Sequence, residues 1–158
     1  MRGLWANRTF RTHFNKKELM NERVDIYLKE QTGKQKELYD NTTAYLSMMA
    51  GYAKNKGVDF LVVLIPDHLQ VLEKDIFTGL DRKKPQRILT RYCRDHGIKC
   101  LDLLTDFESH PEPASLYFDM DKHWSRAAHR FAAGILADEI FPGAQGGRHG
   151  WSSGQDTG

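Results

Sequence analysis

The chain has 158 residues, 40% of them hydrophobic and 28% charged, with a formal net charge of +2. That is one domain's worth of polypeptide, apolar enough for a core, and a charge so near balance names no partner. No apolar run approaches the roughly 18 residues that would mark a membrane-spanning helix.

The opening residues, Met1 to Arg8, hold no apolar h-region, so a signal peptide is not expected. Cys93 and Cys100 form no CxxC pair, and two cysteines do not make a disulfide framework. Buried free thiols are expected for both, and the compartment stays open. Residues 1–35 are polar and weakly periodic and read as a peripheral segment. Within them Lys16 to Lys29 could form a helix with Leu19, Met20, Val24, Tyr27 and Leu28 on one side, and Gly33 interrupts it.

From Lys36 to Lys56 the pattern sharpens. Leu38, Thr42, Tyr45, Leu46, Met49, Tyr52 and Ala53 recur at three and four, predicting an amphipathic helix that packs this stripe into the core and stops at Gly57. Phe60 to Ile65 is an unbroken, β-branched apolar run closed by Pro66, which predicts a central parallel strand buried on both faces. The following Pro66 to Val71 is expected to be a loop beyond the carboxyl end of that strand, where open α/β sheets bind ligands. His68 is therefore a second candidate for chemistry, although a loop histidine is usually a solvated one.

Pro85 to His96 predicts a helix with Ile88, Leu89, Tyr92 and Cys93 inward and Gly97 as its stop. Ile98 to Leu104 predicts the next strand, completing a right-handed βαβ unit. The excess of lysine and arginine between Asp81 and Lys99 reads as a solvated outer helix face, because no aromatics interleave as they would at a nucleic-acid footprint. Asp106 to Ser115, with two prolines, reads as loop, and no internal repeat is present. Residues 143–158 are Gly/Ser-rich and expected to be disordered, and Trp151 within them has no assigned role.

The chain is organised around Leu116 to Ser125, Leu-Tyr-Phe-Asp-Met-Asp-Lys-His-Trp-Ser. A carboxylate beside an imidazole fixes the ring's tautomer and makes it a base for a nucleophile, and Asp121 and His123 stand two positions apart. Ser125 is expected to cap a helix from Arg126 to Phe141 whose stripe is Ala127, Ala128, Phe131, Ala132, Ile135, Leu136 and Ile140. Two plainer readings compete. Asp121 and His123 could merely hydrogen-bond each other at a helix entry, or they could join Asp119 and His129 around a metal. The second needs three or four ligands to converge, and His129 falls away from the stripe. Trp124 reads as packing and Asp119 as a solvated acid.

This block, running into Ala-Ala-His-Arg-Phe-Ala-Ala, resembles the C-terminal block of SGNH (GDSL-type) hydrolases, and a Pro-x-x-x-Gln-Val loop fits the same branch. The resemblance spans about Lys36 to Phe141. It implies an α/β fold, a partial flavodoxin-like (SGNH-type) parallel sheet in three α/β/α layers, with residues 36–142 as the C-terminal part of the domain. It also implies catalytic roles for Asp121 and His123, acyl or acetyl ester substrates that could be small molecules or carbohydrate esters, and no cofactor, metal or nucleic acid. The family's Gly-Asp-Ser nucleophile block, middle glycine and Gly-x-Asn-Asp oxyanion block have no counterpart in these residues. Ser47, Ser109, Ser115 and Ser125 do not follow Gly-Asp. The expectation is therefore an ester hydrolase whose serine lies outside this chain, and the alternative is a non-catalytic interaction or carbohydrate-binding module derived from one.

Overall fold

The computed structural model describes residues 24–142, and the contact pattern divides the chain into two units, residues 1–108 and 109–158. In the first unit two strands, β1 (Leu61–Leu64) and β2 (Lys99–Asp102), pair in parallel with Leu61 opposite Lys99 and Leu64 opposite Asp102. Helix α3 (Lys84–Asp95) connects them and packs on β2, so the predicted βαβ unit is present. The architecture is α/β, with helices around a small parallel sheet. β1 is less enclosed than its unbroken apolar run predicts. Only Val62 within it is buried, and the next residue, Ile65, is 63% exposed. Among the described residues the sheet has two strands, so each strand has one neighbour.

Helix α1 (Gly33–Asn55) begins at Gly33, the residue expected to interrupt a helix. Thr32 explains this: its hydroxyl accepts the Gln35 N–H, and the Gln35 side chain accepts the Thr32 N–H, forming a reciprocal capping box. Gly33 then occupies the first helical position, where the lack of a side chain costs little. Of the helix expected upstream, Val24–Tyr27 is a single 3-10 turn and the part before residue 24 lies outside the described residues. So does the 143–158 tail.

The buried face of α1 differs from the predicted one. Gln35, Tyr39 and Ala53 are buried, with Thr43, Leu46, Ser47 and Ala50 partly so, whereas Leu38, Tyr45, Met49 and Tyr52 are exposed. Hydrogen bonding draws the polar residues inward. Gln35 accepts from Lys84 Nζ at 3.2 Å, Tyr39 donates to the Ile26 carbonyl at 2.9 Å, and the Ser47 and Tyr92 hydroxyls meet at 2.5 Å. These bonds pair the Gln35 carbonyl and the Tyr39 and Ser47 hydroxyls, leaving the buried Gln35 Nε2 unpaired among the described residues, and apolar periodicity alone points to the wrong side of this helix. Lys84 corrects a second expectation. It lies in the basic stretch read as a solvated face, yet it is 4% exposed, its ammonium donating to the Leu28 carbonyl and Gln35.

Helices α1 and α3 end alike. Gly57 and Gly97 take φ of +66° and +65°, and the following residue returns its N–H to the helix, Val58 to Ala53 and Ile98 to Cys93. Each is a Schellman ending, the reason glycine follows both helices. The strands are entered directly from these turns. Ile88, Leu89 and Tyr92 are half-buried and Cys93 fully buried, as their spacing predicts. The Cys93 and Cys100 thiols are both free.

Pro66 to Val71 is not an open loop. Asp67 caps a short helix, α2 (His68–Leu72), in a second capping box with Gln70. The predicted Asp106–Ser115 loop likewise contains structure, the end of α4 (Leu104–Ser109) and a 3-10 turn at Pro113–Leu116. Glu108 near the end of α4 gathers Arg82, Lys74 and Lys83 around its carboxylate. Arg82 also donates to the Gln70 carbonyl. That ties α2, the connection to α3 and α4 together at the carboxyl end of the strands.

In the second unit, α5 (Arg126–Ile140) is capped by Ser125, whose hydroxyl accepts the Ala128 N–H at 3.3 Å and donates to the Ser115 carbonyl at 2.6 Å. Ala128 and Ala132 are buried and Phe131, Ile135 and Leu136 half-buried, whereas Ala127 and Ile140 at the margins of the predicted stripe are exposed. The ring of Phe131 meets that of His110 edge-on at 4.8 Å.

Candidate active site

The residues between the Pro113–Leu116 turn and α5 form a narrow reversal. Tyr117 and Trp124 make an antiparallel bridge, Phe118 donates its N–H to the His123 carbonyl at 2.9 Å, and Lys122 donates to the Phe118 carbonyl at 3.0 Å. Leu116 and Tyr117 are buried at the base, and the Leu116 carbonyl accepts the Ser125 N–H at 2.9 Å. The tip, Asp119 to Lys122, stands in solvent, with Met120 93% exposed. Such a reversal fixed at its base displays side chains from a firm support.

Asp121 and His123 are brought together there. One carboxylate oxygen, Oδ1, accepts the His123 backbone N–H at 3.1 Å, and the other, Oδ2, lies 3.1 Å from the ring Nδ1. The carboxylate thus holds residue 123 by main chain and side chain at once. The hydrogen bond from the His123 ring, then that from its backbone N–H, keeps the Asp121 carboxyl below its ordinary value. A proton on Nδ1, facing the carboxylate, leaves Nε2 with a lone pair. The imidazole side chain is 81% exposed, so that nitrogen is open to an approaching group.

The other candidates separate. Asp119 is exposed, as a solvated acid should be. Trp124 is half-buried, as a packing residue should be, and its ring meets that of His129 edge-on at 5.6 Å. Among the described residues no group of three or more metal-ligating side chains converges. Three of the four described serines are engaged elsewhere: Ser47 with Tyr92, Ser115 with the Glu112 carbonyl at 2.7 Å, and Ser125 with Ser115 and the α5 N-terminus; Ser109 is exposed at the end of α4.

His68, expected to be a solvated loop residue, is instead 8% exposed at the start of α2, its Nδ1 3.1 Å from Asp67 Oδ1. Beside it a cavity of about 280 Å³ opens at the carboxyl end of β1, lined by Val63 to Ile65, Asp67, Gln70, Gln86 and the apolar side chains of Ile26, Tyr27, Pro85 and Leu89. The Gln70 and Gln86 amides bond each other reciprocally at 2.9 and 3.1 Å, closing its polar end. Sequence reading missed two of these features, the Asp67–His68 pair and the backbone of Lys122, which has φ +61°. An Asp-x-x-Gln capping box signals the first; nothing in the sequence signals the second.

The protein is thus of the α/β class, with a parallel βαβ unit and a loop that sets a carboxylate on a histidine. Residues 25–151 match the family described as SGNH hydrolase-like domain, acetyltransferase AlgX, and the chain belongs to that family. No curated protein and no solved structure gives a match.

Proposed function

We propose that this chain supplies the general base and its orienting acid to an acyl-transfer site that acts on acyl or acetyl esters. The observation that carries the reading is the double hold of Asp121 on His123, which leaves Nε2 as the basic, accessible nitrogen. In the reaction His123 takes the proton from a serine hydroxyl while that oxygen attacks the ester carbonyl. The tetrahedral intermediate collapses as His123 returns the proton to the leaving alcohol, and Asp121 steadies the imidazolium throughout. The acyl-serine then passes its acyl group to water, with His123 again as base. A hydroxyl acceptor uses the same steps, and the acetyltransferase in the family's description favours that second ending.

The serine comes from polypeptide outside these residues. In support, none of the described serines follows Gly-Asp, and Ser47, Ser115 and Ser125 bond to other groups. The oxyanion donors, worth about 3–4 kcal/mol each, come from the same missing part. Carbohydrate O-acetyl esters and small-molecule esters both suit this chemistry. The competing reading, a non-catalytic interaction or carbohydrate-binding module, is less favoured because such a module has no use for an oriented, solvent-open imidazole.

Two measurements test the proposal. Coding sequence flanking the chain on either side should encode a serine in a Gly-Asp-Ser-like setting. The chain by itself should cleave p-nitrophenyl acetate no faster than free imidazole, since a base without its nucleophile has nothing to activate. Saturable turnover by the chain alone, lost in His123→Ala, would place the nucleophile among its own serines, and flanking frames closed by stop codons would favour the binding-module reading.

A further inference from the structure

Asp121 and His123 are a solvent-open pair, their side chains 57% and 81% exposed. A pair in that position has no packed walls to hold its torsions, and long exposed ion pairs are usually loose. What holds this one is the main chain. The carboxylate is bound at one oxygen to the backbone N–H of residue 123, with residue 122 between them. Lys122 is the residue at the fold. Its φ of +61° is the only positive value at a non-glycine among the described residues, and its own N–H is tied to the Phe118 carbonyl at 3.0 Å.

A side-chain-bearing residue in the left-handed region is disfavoured relative to its right-handed or extended forms. Such outliers persist where the surroundings over-determine them, and they gather at functional sites. Here the surroundings are the Tyr117–Trp124 bridge, the Phe118 to His123 hydrogen bond and the Asp121 carboxylate, all of which enclose residue 122. We infer that Lys122 is a positioning residue of the site, acting through its backbone: its left-handed conformation delivers the Asp121 carboxylate onto both the N–H and the ring of His123, and so sets which imidazole nitrogen is the base.

The inference rests on the reading of Asp121 and His123 as orienter and base, but its test does not use activity. Long-range proton–nitrogen spectra of the chain at pH 8, where an ordinary imidazole is neutral, report which ring nitrogen carries the proton. In the parent chain and in Lys122→Gly, His123 is expected to be mostly the Nδ1–H tautomer, because glycine takes positive φ freely and the ammonium has no part in the pairing. In Lys122→Val, a β-branched residue that rejects this region, the population should shift to the Nε2–H majority of free imidazole. Lys122 is exposed, so the remaining amide spectrum serves as the fold control; Lys122→Thr, also β-branched, should give the same shift if the valine variant does not fold. Retention of the parent tautomer in a folded Val or Thr variant, or its loss in Lys122→Gly, would overturn the inference. The parallel failure of the functional reading looks different: the tautomers would respond as expected while His123→Ala left the activity of the serine-bearing protein unchanged.

Discussion

Asp67 and His68 are joined by the same contact as Asp121 and His123, an imidazole Nδ1 3.1 Å from a carboxylate oxygen, but His68 is 8% exposed whereas the His123 side chain is 81% exposed. The inner pair lies at the start of α2, beyond the end of β1, and the outer pair stands in solvent. Stability measurements should separate them. His68→Ala is expected to cost about 1–3 kcal/mol in urea unfolding, the range for truncating a buried side chain that also makes a polar contact. His123→Ala should change stability by less than about 0.5 kcal/mol, as surface substitutions do. Equal costs would mean that the two pairs have the same structural role.

The carboxylate of Glu108 makes acid sensitivity predictable. Burial pushes its pKa up, but the hydrogen bond from Arg82 and the charges of Arg82, Lys74 and Lys83 together outweigh that and leave it below the ordinary 4.5. A depressed carboxyl pKa contributes stability that is complete above the unfolded value and is lost as pH falls through the folded one. The chain should therefore lose stability below about pH 4.5, and Glu108→Gln should flatten that part of the stability–pH curve while lowering stability at pH 7. An unchanged acid limb in Glu108→Gln would place the acid-sensitive group elsewhere.

The two Schellman glycines and a helical glycine give an internal comparison. A methyl group added at Gly57, Gly97 or Gly51 meets no atom within 4 Å, so any cost is conformational. Alanine at Gly57 or Gly97, each at φ near +65°, should destabilise by about 1–2 kcal/mol. Alanine at Gly51, inside α1, should stabilise by roughly 0.5–1 kcal/mol. Thermal unfolding of the three single variants checks the opposite signs.

Much of this architecture is legible in the residues. The βαβ unit follows from the Phe60–Ile65 run, the spacing of Ile88, Leu89, Tyr92 and Cys93 and the Gly97 stop, because burial of an apolar face and a left-handed glycine leave local signatures. The proximity of Asp121 and His123 is legible because they are close in sequence. The buried face of α1 is not, since Gln35 and Ser47 go inward through bonds to Lys84 and Tyr92, partners about 45 or more residues away. The same long-range bond hides the burial of Lys84. The positive φ of Lys122 is invisible for a different reason: lysine has no preference for that region, and the residue sits in a reversal whose base is the Tyr117–Trp124 bridge.

As proposed, His123, oriented by Asp121, is the base of an acyl-transfer site completed by a serine outside these residues. The most direct measurement is steady-state turnover of p-nitrophenyl acetate by the serine-bearing polypeptide, compared with its His123→Ala variant. Turnover should be saturable and fall on the order of 10²–10⁴-fold in the variant, the usual range for losing a general base, with folding unaffected. Turnover equal in the two proteins would contradict it.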